Sequence, residues 1–367
     1  MKRTILFLVT VSLVMLFAAA CAAPAPQAAP ATPVVVEKIV VQTPTPQPVG
    51  APPTPVVVEK MVVATPTPNT FDCTKQNIAY LSFGSQAPYI AMVDDSMKRA
   101  AKAKGINLLV LDNELKPDKA VDNANTIVTR GNVNLVYEFN YYQEQNFAIA
   151  DIFKKAKIPV IAIDIPVSGS SYYGANNYEA GKLAGKGLAE WANKNWPNQV
   201  DLALAEAQSM AGSGLLQQRT QGIMAGFKEG LPYLKADQIT QFEGSTDVNK
   251  LQEAISTLLT ANPTKKHILI GLLGDSNAVA AVNAAQAAGR ADQVEVAGQG
   301  GDDVGLGALR GPKNGFLGTT AYLPDHYGDD LIPLGCDLLA GKQIPAESYI
   351  KHVFLTRDNV DQYYPKK

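Results

Sequence analysis

Between residues 77 and 355, short apolar runs of strand length alternate with stretches whose apolar residues fall at helical spacing, and the rhythm restarts once midway. Residues 77–83, 108–112, 135–139 and 159–164 read as strands, with helical spacing over 88–104, 116–130 and 145–157 between them. The run Pro159-Val160-Ile161-Ala162-Ile163-Asp164 is continuously apolar up to its last residue, the pattern of a strand buried on both faces of a parallel sheet. The second block sets helices at 178–195, 214–229, 248–259 and 276–288 among strands at 202–206, 267–273, 294–299, 315–322 and 350–355. Such alternation in two blocks predicts an α/β protein of two doubly wound parallel-sheet lobes.

The segment ahead of these blocks has a different character. Lys2 and Arg3, an uncharged apolar run over 5–17 and then Ala18-Ala19-Ala20-Cys21 follow the basic–apolar–small order of a secretory signal peptide, assigned to 1–20. The run alone is shorter than the ~20 residues a membrane-spanning helix needs. A cysteine after three small residues resembles a bacterial lipobox, which makes Cys21 the expected lipidation site. Ala18 stands where that pattern favours Leu, and the other reading is an ordinary cleaved signal with an incidental cysteine. Residues 21–70 are rich in Pro, Thr, Ala and Val and repeat themselves once: Thr32-Pro33-Val34-Val35-Val36-Glu37-Lys38 returns as Thr54-Pro55-Val56-Val57-Val58-Glu59-Lys60. Two copies are too few for a solenoid. The prolines make this a semi-rigid extended stalk, the simplest reading; the alternative is that the β-branched runs pair as strands, with each other or with another chain.

Composition narrows the function. A formal charge of −2 without basic runs argues against a nucleic-acid partner, which demands Lys and Arg clusters. His267, His326 and His352 are scattered and read as structural or surface residues; no Cys/His metal spacing and no Gly-x-Ser-x-Gly elbow occurs. Gly298-x-Gly300 with Gly301 reads as a turn rather than a dinucleotide fingerprint. No enzyme activity, cofactor or metal is expected. In an exported chain Cys73 and Cys336 either form a disulfide or remain one buried and one exposed thiol.

In doubly wound sheets ligands sit beyond the carboxyl ends of the strands. The tips so selected are 83–89, 139–142, 164–168, 206–214, 274–275, 299–302 and 322–325, with Arg219 in an adjoining helix. Their aromatic faces, carboxylates, amides and guanidinium suit a polyhydroxylated small molecule: rings cover C–H faces and polar groups bind hydroxyls.

Several landmarks carry a family resemblance. They are the Ala87-Pro88-Tyr89 turn, Lys104-Gly105-Ile106-Asn107, the run ending in Asp164, Gly174-Ala175-Asn176-Asn177-Tyr178-Glu179-Ala180-Gly181, Arg219-Thr220-Gln221-Gly222, Leu258-Leu259-Thr260-Ala261-Asn262-Pro263 and Ala321-Tyr322-Leu323-Pro324-Asp325. In that order and spacing the chain resembles the bacterial periplasmic sugar-binding proteins of the ribose-binding type, solute receptors of ATP-driven (ABC) importers, over nearly all of 78–355. The resemblance implies two lobes joined by three hinge strands and closing on ligand. It places an N-lobe at 71–176 plus 324–348 and a C-lobe at 177–323 plus 349–367. It further implies that Asp164 accepts hydrogen bonds from sugar hydroxyls, that Arg219 donates to the sugar and that Tyr89 and Phe83 stack on its ring. Gln86, Asp275, Gln299, Asp302 and Tyr322 complete the expected ligand set. Each has a structural reading beside it: Asp164 as a turn cap, Arg219 as a surface ion pair, Phe83 and Tyr89 as core aromatics, Asp275 as a helix cap.

Departures from the family pattern bear on the ligand. Ile165 follows the strand-end Asp where the ribose receptors carry Arg, their Asn and Asp fall on Gly274 and Gly300, their last Gln on Tyr322 and their first Asn on Ala87. Each lost partner would leave a buried hydroxyl unpaired at a cost of about 1–3 kcal/mol, which disfavours ribose itself and favours another sugar or polyol, larger or less polar than a pentose. The expected partners are that solute, an ABC permease and ATPase, and the membrane through the lipid anchor on the outer face; the protein is expected to be a monomer. The alternative is a tethered sensory or chemotaxis receptor for a small polar ligand such as a nucleoside. Repressors of the same fold need an N-terminal helix-turn-helix, a place that the signal and stalk occupy.

Overall fold

The computed structural model describes residues 34–41, 56–63, 71–208 and 214–366, so the expected signal segment, Cys21 and most of the 21–70 stalk lie outside the described residues. The chain divides into two compact units, Met1–Thr70 and Phe71–Lys367. In the first, the repeats form β1 (Val34–Val41) and β2 (Val56–Val63), antiparallel, with Val34 opposite Val63. Of the alternatives for these runs, pairing with each other is the one observed, as their β-branched residues favour.

The second unit holds two six-stranded sheets. The first lobe is built from β3 (Ile78–Ser82), α1 (Pro88–Ala103), β4 (Leu108–Asp112), α2 (Pro117–Arg130), β5 (Leu135–Glu138), α3 (Gln143–Ala156), β6 (Val160–Ile163) and β7 (Ser171–Gly174). The chain then enters the second lobe through α4 (Asn177–Asn195), β8 (Leu202–Ala207), α5 (Gly214–Gly230), β9 (Ile239–Glu243), α6 (Val248–Ala261), β10 (Ile268–Gly271), α7 (Asp275–Ala287), β11 (Val294–Gly300), α8 (Asp303–Arg310) and β12 (Phe316–Ala321). It returns for α9 (Tyr327–Leu339) and β13 (Glu347–Tyr349), then crosses again to β14 (Val353–Thr356) and α10 (Val360–Tyr363). Sheet order is β13-β7-β6-β5-β3-β4 in the first lobe and β14-β12-β11-β10-β8-β9 in the second. Every pairing in these two sheets is parallel except that of β14 with β12. The chain therefore passes between lobes three times, at 175–176, 322–326 and 350–352.

Both faces of each sheet are covered, which explains the continuous apolar runs. In β3, Ile78 and Tyr80 pack on the side of α1 and α9, while Ala79 and Leu81 face α2 and α3. In β10, Ile268 and Ile270 join one core and Leu269 the other. Cys73 and Cys336 are joined in a disulfide, tying the residues ahead of β3 to α9.

The sequence reading did not anticipate β7, β9, β13, α8 or α10. β13 is a three-residue edge strand and β9 an edge strand with alternate residues exposed, so neither carries a buried-strand signature. Gly305 and Gly307 weaken the helical signal of α8, whose start is fixed instead by the Asp302 cap. β13 also runs to Tyr349, one residue beyond the lobe boundary expected at 348.

Candidate ligand-binding site

The site begins with a backbone irregularity. β6 is followed directly by Asp164, whose φ of 58° lies in the left-handed region that Asp tolerates better than most residues. Its N–H donates to the Tyr173 carbonyl at 2.9 Å. The carboxylate thus turned accepts from Tyr327 Oη at 2.8 Å, Tyr89 Oη at 3.2 Å and the Ala175 N–H at 3.3 Å. A side chain at Gly174 would place its Cβ 2.6 Å from Asp164 Oδ1, so this turn requires glycine there. Burial pushes the Asp164 carboxyl up, against the hydrogen bonds from Tyr327 and Tyr89 and the Arg219 charge that pull it down.

On the second lobe, Arg219 projects from α5. Its Nε donates to Asn177 Oδ1 at 2.7 Å and its Nη1 to the Leu273 carbonyl at 3.2 Å, and its guanidinium carbon lies 5.1 Å from the Tyr322 ring centroid. That cation–π contact and two fixed N–H groups set the plane of the guanidinium. Tyr322 is locked in turn, its hydroxyl donating to Gln299 Oε1 at 2.9 Å while Gln299 Nε2 donates to the Leu272 carbonyl at 3.1 Å.

Asp275 is the first residue of α7 and Asp302 is the N-cap of α8. Asp275 Oδ2 accepts from the N–H groups of Gly301 at 2.7 Å and Asp302 at 3.1 Å. Asp302 Oδ1 caps α8, accepting from Val304 at 2.9 Å and Gly305 at 3.1 Å. Burial, and then the charge of Asp302, push the Asp275 carboxyl up to about 7.

These groups enclose a cavity of about 170 Å³ between the lobes. The rings of Tyr89, Tyr141 and Tyr322 line it together with Arg219, Asp275, Gln299 and Asp302. Of the expected ligand set, the structure brings Tyr89, Arg219, Asp275, Gln299, Asp302 and Tyr322 into this wall. Three others lie elsewhere. Phe83 is buried in the first-lobe core against the rings of Tyr141 and Tyr142, Gln86 is exposed, and Asp164 stands behind Tyr89, its carboxylate engaged by tyrosine hydroxyls. Tyr141 and Ser276 join the wall without having been singled out; Tyr141 falls in the tip 139–142, and its position after a strand end is the signal that marks it. Asn177, Tyr327 and His352 support the wall from behind without belonging to the expected ligand set; Asn177 falls in the landmark 174–181 and His352 is one of the histidines read as structural or surface residues. Among the described residues no group of His, Cys, Asp and Glu is arranged to hold a metal ion, and no helix is long and apolar enough to cross a membrane.

Comparison with known proteins places this geometry in context. A family profile described as a periplasmic binding protein domain matches residues 78–343. The ribose import binding protein of Salmonella typhimurium is 27% identical over 279 residues, covering 74% of this chain and 88% of that protein. Among solved structures, an ABC transporter periplasmic solute binding protein from Actinobacillus succinogenes 130z with bound D-allose superposes with a TM-score of 0.67 at 22% identity, covering 79% of this chain and 100% of the other. An ABC transporter solute binding protein from Bacillus halodurans C-125 with bound myo-inositol gives a TM-score of 0.64 at 18% identity, covering 79% and 98%.

Proposed function

The chain belongs to the periplasmic binding protein domain family, and from that premise we propose that it captures a sugar or related polyol between its lobes and delivers it to an ABC importer. The observation that carries the reading is the cavity wall itself: three tyrosine rings, one oriented guanidinium and a carboxylate–amide set around about 170 Å³. Rings of this kind cover the apolar face of a sugar, and the polar groups pair with its hydroxyls. The volume falls below the ~300–1,000 Å³ of drug-sized pockets, which suits a single small ring rather than an oligosaccharide.

Asp164 and Arg219, one on each lobe, are linked through the first crossing. Asp164 accepts from the Ala175 N–H, the Ala175 carbonyl accepts from Asn177 Nδ2 at 3.3 Å, and Asn177 Oδ1 holds Arg219. Lobe rotation about 175–176 therefore moves Arg219 relative to Tyr89, and a solute that bridges them favours the closed arrangement. An exported location follows from the family; lipidation at Cys21 and a 21–70 tether would keep the monomeric receptor near its permease, raising the effective concentration of the encounter.

Calorimetric titration against a panel of pentoses, hexoses, inositols and nucleosides tests the reading. One sugar or polyol is expected to bind tightly, and Arg219→Lys to weaken it roughly ten- to a hundred-fold, because an ammonium cannot reproduce the fixed guanidinium plane. Silence across the whole panel would overturn the assignment.

A further inference from the structure

We propose that His352 is the clasp of the hinge, a positioning residue that holds all three lobe crossings in the arrangement seen here. The imidazole lies on the third crossing. Its Nε2 is 3.1 Å from the backbone nitrogen of Asn176 on the first crossing, and its Nδ1 is 3.4 Å from the carbonyl oxygen of Ala321, where the second begins. A backbone N–H can only donate, so Nε2 carries the lone pair and Nδ1 the proton, and Nδ1–H donates to Ala321. Burial pushes the imidazole down to about 4, which keeps it in this neutral form near neutral pH.

The same ring leans on Tyr322, with centroids 4.9 Å apart. Tyr322 in turn lies under the Arg219 guanidinium and is edge-on to Tyr89, centroids 6.2 Å apart. One side chain thus joins the backbone of two crossings to a ring of the cavity wall. The neighbouring Leu323 has a φ of 51°, a left-handed conformation that an apolar side chain adopts only where its surroundings enforce it. The clasp therefore sets how far the lobes are apart before any solute arrives. It rests on reading the cleft as a solute trap, but its consequences are measurable without a solute.

The test uses the full chain, ligand-free and with its disulfide intact. His352→Phe keeps the ring against Tyr322 and removes both nitrogens, whereas in His352→Gln the side-chain oxygen accepts and its N–H donates. Hydrogen exchange followed by mass spectrometry is expected to show peptides spanning 175–176 and 322–326 exchanging about tenfold faster in His352→Phe, with both sheet cores unchanged and protection largely restored in His352→Gln. Faster exchange spread evenly through the second-lobe sheet, or no change at the crossings, would reduce His352 to a packing residue. Nitrogen NMR of the wild-type imidazole supplies an independent measurement: the proposal requires the proton on Nδ1, and a proton on Nε2 overturns it even if the Phe variant does not fold. A failed sugar panel would leave these results standing, so the two readings fail separately.

Discussion

Asp275, with Asp302 beside it, shows how a single residue reports on the cleft. With Asp275 pushed up to about 7 by burial and its neighbour, the folded protein holds that proton more tightly than the unfolded chain does. The stabilisation is complete below the unfolded value of 3.8 and is lost as pH rises through about 7. Glu295, which burial also pushes up to about 7, acts in the same direction. Thermal melts are therefore expected to show the melting temperature falling between about pH 4 and about pH 7 and levelling off above that, with a smaller fall in Asp275→Asn, which retains a side-chain acceptor for the Gly301 or Asp302 N–H but no charge. An unchanged slope in the variant would remove Asp275 from the account. At this scale the sequence was only partly legible. Tyr322 could be read from a strand end, because a tip residue on a parallel sheet has few places to point, whereas Arg219, a helix residue, was marked by lying beside the tips and by the family resemblance. Phe83 and Asp164 could not, since the first is decided by which rings pack behind it and the second by a backbone φ that no pattern of apolar residues encodes.

Between elements, the contact that matters most for the site is α4 against α5. The two helices approach so closely that a Cβ at Gly181 would lie 2.0 Å from the Arg219 carbonyl oxygen, and one at Gly222 would lie 2.1 Å from that of Tyr178. Those neighbours are backbone and cannot swing aside, so an added methyl must push the helices apart. Asn177 stands on one helix and Arg219 on the other, and their 2.7 Å hydrogen bond depends on that spacing. Gly222→Ala is expected to cost about 1–3 kcal/mol in urea denaturation and also to weaken the tightest-binding solute of the panel. Lost stability with unchanged affinity would separate the helix contact from the site. The long elements of both lobes were legible because burial on both faces leaves unbroken apolar runs. The short edge strands β9 and β13 were not, for they face solvent on one side and have no such run to show.

For the molecule as a whole, the fold was legible from the two-block rhythm, whereas the route of the chain through three crossings came from the family resemblance rather than from any pattern of burial. The disulfide between Cys73 and Cys336 spans 263 residues of sequence yet lies wholly within the first lobe. Replacing both cysteines by serine is expected to lower stability by about 2–4 kcal/mol, measured by urea denaturation, and to leave solute affinity unchanged because neither cysteine lines the cavity. A loss of affinity would show that the bond restrains the hinge. The placement of this bond also has a mechanical meaning. Any pull arriving along the chain ahead of Phe71 reaches Cys73 first and is divided there between β3 and α9, both in the same lobe. Such a pull is therefore shared by two elements of the first lobe before it meets any crossing between the lobes.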